Sequence, residues 1–83
     1  MEVLKYPIAT EKAVRAIESD NIITFVVDKK SSKGSIKNEL ENKFKVKVEK
    51  IRIMISPRGK KKAYIRLKSD FPAIDVATQL GLM

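Results

Sequence analysis

Ser31, Ser32, Ser35, Ser56 and Ser69 are hydroxyls that could serve as nucleophiles, but the chain offers little to activate them. A serine nucleophile needs a base beside it, usually histidine, and there is no histidine anywhere in the 83 residues. Lys30-Ser31 and Ser32-Lys33 do set a lysine next to a serine. In a short polar stretch before a helix, such serines are read as caps and turns. Glu39 and Glu41 stand two residues apart on one helical segment, so they do not face each other and form neither an acid–base pair nor a metal site. The absence of cysteine removes thiolates, disulfides and thiolate metal sites. Gly34, Gly59 and Gly81 stand alone, without the spacing of a phosphate-binding loop. An enzyme on this frame is disfavoured, and no catalytic residue, metal, cofactor or small-molecule substrate is expected.

What remains is electrostatics. Eighteen Lys and Arg face ten Asp and Glu, a net charge of +8. Residues 29–68 hold fifteen of the basic residues and three of the acidic ones, an excess of twelve, while the two ends of the chain are mildly acidic. A surface that serves only solubility favours interspersed signs; a block of one sign points to a polyanion. The candidate phosphate-binding residues fall in groups. Lys29, Lys30, Ser32, Lys33 and Lys37 lie around the start of one helical segment, where backbone N–H groups also attract anions. Lys43, Lys45 and Lys47 crowd its other end, where they also complement the helix dipole. Arg52, Arg58, Gly59, Lys60, Lys61, Lys62, Arg66 and Lys68 follow a hairpin, and Lys12 and Arg15 lie near the N-terminus. Four cations within Arg58-Gly59-Lys60-Lys61-Lys62 repel one another and are expected, solvated in the free protein, to meet phosphate. Arg58 is able to hold two phosphate oxygens at once, whereas lysines act as point charges.

These side chains need a scaffold, and the length allows one domain, residues 1–83, that buries only about 60 % of its unfolded surface. Val3 to Tyr6 reads as a short extended segment closed by Pro7. Thr10 is placed to cap a helix carrying Ala13, Val14 and Ile17, which stops at Ser19-Asp20-Asn21. Residues 22–27 form a strand apolar on both faces, hence interior. Ser32 is expected to cap a second helix with Ile36, Leu40 and Phe44 as its apolar seam. Residues 46–55 read as a strand whose apolar parity switches from 46 and 48 to 51, 53 and 55, so a bulge is expected near Glu49-Lys50. A turn at Ser56-Pro57-Arg58-Gly59-Lys60 leads to a strand with Ala63, Ile65 and Leu67 on its buried face. Pro72 opens a last helix with Ala73, Val76, Ala77 and Leu80, stopped by Gly81. The fold class is therefore α/β, more closely an α+β sandwich. Its sheet is four-stranded and mostly antiparallel, with a split β-α-β unit whose last strand inserts between strands 22–27 and 46–55, and helices packed on it.

Aromatic content bears on the kind of nucleic acid. Phe25 looks buried and Phe44 ends a seam, which leaves Tyr64 for display; base-stacking readout wants more. Lysine-rich surfaces with few aromatics suit the backbone of structured RNA. No apolar run approaches the roughly 20 residues of a membrane span, so membrane insertion is not expected. Met1-Glu2-Val3-Leu4-Lys5 lacks the apolar stretch of a secretory signal, so the expected location is cytoplasmic.

Tyr6-Pro7-Ile8-Ala9-Thr10-Glu11-Lys12-Ala13 resembles the opening signature of the L-twenty-three family of large-subunit ribosomal proteins. The likeness continues through Asn21-Ile22-Ile23-Thr24-Phe25-Val26-Val27-Asp28 and Phe44-Lys45-Val46-Lys47-Val48-Glu49-Lys50-Ile51. Lys61-Lys62-Ala63-Tyr64-Ile65, Asp75-Val76-Ala77 and Leu80-Gly81-Leu82 complete it, in order over nearly the whole chain. The resemblance implies binding to large-subunit rRNA near the polypeptide exit tunnel, beside the neighbouring L-twenty-nine protein. It also implies a share in the platform where the signal recognition particle and other nascent-chain factors dock, with Glu11 at the family's docking position. The short turn and a start almost at the first strand resemble archaeal members, for which the signal recognition particle is the partner expected at Glu11. The competing reading is a free-standing basic RNA- or DNA-binding regulator.

Overall fold

The computed structural model describes residues 3–82; Met1 and Glu2, read above with the N-terminal segment, lie outside them. The elements follow in the order β1 (Leu4–Pro7), α1 (Glu11–Asp20), β2 (Ile22–Val27), α2 (Lys33–Phe44), β3 (Val48–Ile55), β4 (Lys61–Leu67) and α3 (Ala73–Gln79). Local chemistry sets most of their ends. Thr10 Oγ1 accepts the Ala13 N–H at 3.2 Å to cap α1, satisfying a donor the helix itself leaves open. Ser32 and Ser35 form a reciprocal capping box at the start of α2. Both helices end on a left-handed residue, Asn21 and Lys45, each with φ of 57°. Gly81, with φ of 78°, follows α3.

The sheet runs in the order β1-β2-β4-β3, with every neighbouring pair antiparallel. β4 thus inserts between β2 and β3, as the hydrophobic pattern indicated. β1 adds a further strand on the outer side of β2, pairing Pro7 with Phe25; proline is tolerated on an edge strand because it has no N–H to contribute. The expected bulge is present, with the β3–β4 register shifting between Val48 and Lys50. That single extra residue brings Val48 and Ile51 to the same buried face.

One boundary and one burial differ from the sequence reading. β3 begins at Val48 rather than 46, because Lys45 spends the preceding turn in the left-handed conformation and Val46 packs into the core before the ladder starts. Ile55 is 68 % exposed rather than buried. It pairs with Lys61 at the turn end of the hairpin, next to Ser56 and Lys60.

The core lies between one sheet face and the helices. Ile23, Phe25 and Val27 of β2 and Ala63, Ile65 and Leu67 of β4 meet Ile36 and Leu40 of α2, Val76 and Ala77 of α3, and Ile17 of α1. Fully burying one such aliphatic side chain stabilises by about 1.5–3 kcal/mol. The second face, carrying the even-numbered residues of β2 and β4, has only α1 along its margin among the described residues.

Candidate nucleic-acid interface

Strand alternation sends Lys62, Tyr64 and Arg66 of β4 to the face opposite the core. The register sets Thr24 and Arg52 on either side of Tyr64, Ile22 and Lys50 beside Arg66, and Met54 beside Lys62. The second face of β2 is covered as expected where α1 overhangs it, with Thr24 only 3 % exposed. Ala13 and Ala16 of α1, with Ile8, wall one side of the resulting trough, and Lys12 reaches it from the same helix. Five cations line the trough (Lys12, Lys50, Arg52, Lys62 and Arg66), and no carboxylate does so among the described residues. A shallower depression continues it toward the hairpin, sharing Ile8 and Lys62 and adding Tyr6, Ser56, Pro57, Arg58 and Lys60.

The hairpin is rigidly built. Ser56 and Lys60 are joined through the Ser56 N–H and the Lys60 carbonyl at 2.8 Å, and the Gly59 N–H donates to the Ser56 carbonyl at 2.9 Å. Gly59 has φ of 81°, a left-handed conformation open to glycine at little cost. The Lys60 ammonium lies 5.9 Å from the Tyr6 ring centroid and 3.2 Å from its hydroxyl. Tyr6, 46 % exposed, is therefore displayed as well as Tyr64, contrary to the expectation that Tyr64 stood alone. Residues 54 apart in sequence give no local sign of such a contact.

Lys61 also departs from expectation. It was read with its neighbours as solvated, yet it points to the core side of β4. Its Nζ donates to the Ser31 carbonyl at 2.5 Å and lies 3.4 Å from that of Lys29. Alternation explains this: Lys60 and Lys62 share one face, and Lys61 takes the other. Ser32 is likewise occupied, its hydroxyl accepting the Ser35 N–H at 3.2 Å as the α2 cap. Arg15 donates to Glu11 at 2.9 Å in an exposed i, i+4 pair and does not line the trough.

The basic block thus divides in space. Lys29 reaches from the start of α2 toward the hairpin, since a Cβ on Gly59 would lie 3.4 Å from its Nζ. Lys29, Lys30, Lys33 and Lys37 surround the start of α2 and are exposed. Lys43, Lys45, Lys47 and Lys68 gather at the other end of that helix, about 18 Å along it, where the Lys68 N–H donates to the Lys47 carbonyl. Lys50, absent from the sequence-based candidates, joins the trough because the bulge turns it onto that face. Two of the three acidic residues in the block are bound to backbone. Glu39 accepts the Leu4 N–H at 2.8 Å and Glu41 the Val48 N–H at 2.8 Å. Among the described residues Arg15–Glu11 is the only ion pair, so the cations of the trough and hairpin have no carboxylate of their own.

Fold and surface together define a small α+β domain that presents an open, cationic sheet face. A family model described as ribosomal protein L23 matches residues 2–72. The large ribosomal subunit protein uL23 of Methanococcus aeolicus is 43 % identical over 81 residues, covering 98 % of this chain and 94 % of that protein. The chain belongs to the ribosomal protein L23 family.

Proposed function

We propose that this chain is a structural constituent of the large ribosomal subunit, in the cytoplasm, that binds large-subunit rRNA near the polypeptide exit tunnel. The carrying observation is the cationic trough: four basic side chains on one open sheet face and Lys12 from α1, running into the hairpin depression with Arg58 and Lys60, with no carboxylate in either lining among the described residues. Phosphates of a folded RNA supply the missing counter-charge. Lys29, Lys30, Lys33 and Lys37, and separately Lys43, Lys45, Lys47 and Lys68, serve as outlying phosphate contacts. Ser32 and Lys61 act within the scaffold rather than on RNA. The family resemblance adds the L-twenty-nine protein as a neighbour and the signal recognition particle, or another nascent-chain factor, as a partner at exposed Glu11. None of this asks for catalysis.

The trough makes a quantitative test possible. With seven contacts from trough and hairpin, the log–log salt dependence of binding to a large-subunit rRNA fragment has a slope of about −5 to −6. Arg52→Glu with Arg66→Glu reduces that slope by about 2 and weakens binding. An unchanged slope in the double variant would assign the trough no part in RNA binding.

A further inference from the structure

Tyr64 is the one aromatic side chain among the described residues lining the trough. It is half-buried, yet it belongs neither to the core cluster nor to the partly buried side chains packed against it. Its ring thus faces a trough lined by cations, by small side chains and by the apolar Ile8, Ile22 and Met54. We propose that Tyr64 is a stacking subsite for one unpaired nucleotide base, so that the trough reads a base flipped out of the RNA as well as its phosphates. The inference rests on the RNA-binding reading above.

The surroundings of the ring carry it. Lys62 and Arg66 lie two residues away on the same strand face, each about 7 Å from Tyr64 along β4. Arg52 stands directly across on β3 and Thr24 across on β2. A cation thus lies before, after and beside the ring, on the scale of one nucleotide and its two flanking phosphates. The hydroxyl lies 3.9 Å from the Met54 sulfur, and a tyrosine has few side-chain torsions to order on binding. Stacking on an aromatic face accepts any base. A continuous A-form duplex cannot use it, because its bases are stacked inside and only backbone and groove edges reach a protein surface.

The test uses the full chain with two probes, a short unstructured RNA strand and a blunt duplex of the same sequence. Tyr64→Leu should weaken the single strand about ten-fold or more, leave the duplex nearly unchanged, and keep the salt slope of both. Tyr64→Phe should bind both probes as the parent does. Equal weakening of both probes by Tyr64→Leu, or no weakening of either, overturns the subsite. If Arg52→Glu with Arg66→Glu still abolishes binding in that case, the cationic surface stands and only the stack falls; if the reversals also change nothing, the RNA-binding reading falls with it. A second readout is independent of affinity. The chain has two tyrosines and no tryptophan, so Tyr6→Phe leaves Tyr64 as the sole strong emitter. Its fluorescence should be quenched by saturating single strand and not by duplex, and unquenched emission with the single strand overturns the proposal.

Discussion

Asn21 is a demanding test of how the scaffold is held. Its side chain joins three elements that sequence separates by about fifty residues. Nδ2 lies 3.0 Å from the Leu67 carbonyl, 3.2 Å from that of Phe71 and 3.3 Å from that of Lys68. Oδ1 accepts the Ala73 N–H at 2.6 Å, which replaces the cap that Pro72 cannot supply to α3. The residue also sits in the left-handed region at the end of α1, where asparagine is tolerated better than most side chains. Asn21→Ala removes the α3 cap, about 1 kcal/mol. It strips the shared donor from three carbonyls, about 1 kcal/mol, and adds about 1 kcal/mol of left-handed strain. The sum, about 3 kcal/mol, is a large part of the roughly 4–12 kcal/mol expected for a chain of 83 residues. Asn21→Gly escapes the strain and should be the milder variant by about 1 kcal/mol. Urea unfolding followed by circular dichroism measures both, with a melting-temperature drop of about 12–24 °C expected for Asn21→Ala. Alanine within about 0.5 kcal/mol of the parent, or glycine worse than alanine, would refute this assignment.

Three further variants test the hairpin, its one inward lysine and the N-terminal helix. Arg58→Glu, Lys60→Glu and Lys62→Glu together should cut the salt slope of rRNA binding by about 3 while the melting temperature stays near the parent's; unaltered filter binding would make the hairpin a solubility device. Lys61→Met should differ from its neighbours and lower stability by about 1 kcal/mol through the lost Ser31 contact, with thermal melting as the check. Glu11→Ala breaks an exposed pair with Arg15 and removes a first-turn charge of α1, both small effects, so incorporation into ribosomes should be normal while capture of the signal recognition particle weakens. Equal capture of that particle and of nascent-chain factors by mutant and parent ribosomes would leave Glu11 only its place in the first turn of α1, where a carboxylate complements the helix dipole.

The architecture was legible because it is written in local signals: the parity switch at Glu49-Lys50, the caps at Thr10 and Ser32, and the breaks at Asn21 and Gly81. The site was legible in charge but not in arrangement. A count of charges shows fifteen basic residues in one block; it does not show that strand alternation turns Lys61 inward while Lys60 and Lys62 stay out. Nor does it show that the bulge places Lys50 beside Arg66, or that Tyr6 comes to lie against Lys60. Glu39 and Glu41 look like counter-charges in the sequence, yet each is bound to a backbone N–H. Asn21 reads as a turn former, and its four long-range contacts exist only once β4 and α3 are in place. Lys61 shares its parity with Ala63, Ile65 and Leu67, so its direction follows from strand alternation; in the other cases the missing information is tertiary, carried by pairs that no local periodicity connects.

The central claim is membership of the assembled large subunit through RNA contact, and sedimentation of a native lysate tests it most directly. With the chain followed by antibody through a sucrose gradient, it should appear in the large-subunit and whole-ribosome fractions and be missing from small-subunit fractions. The same chain carrying Arg52→Glu and Arg66→Glu should shift toward the top. A parent chain found mainly in ribosome-free fractions would contradict the account and favour a free-standing RNA-binding regulator.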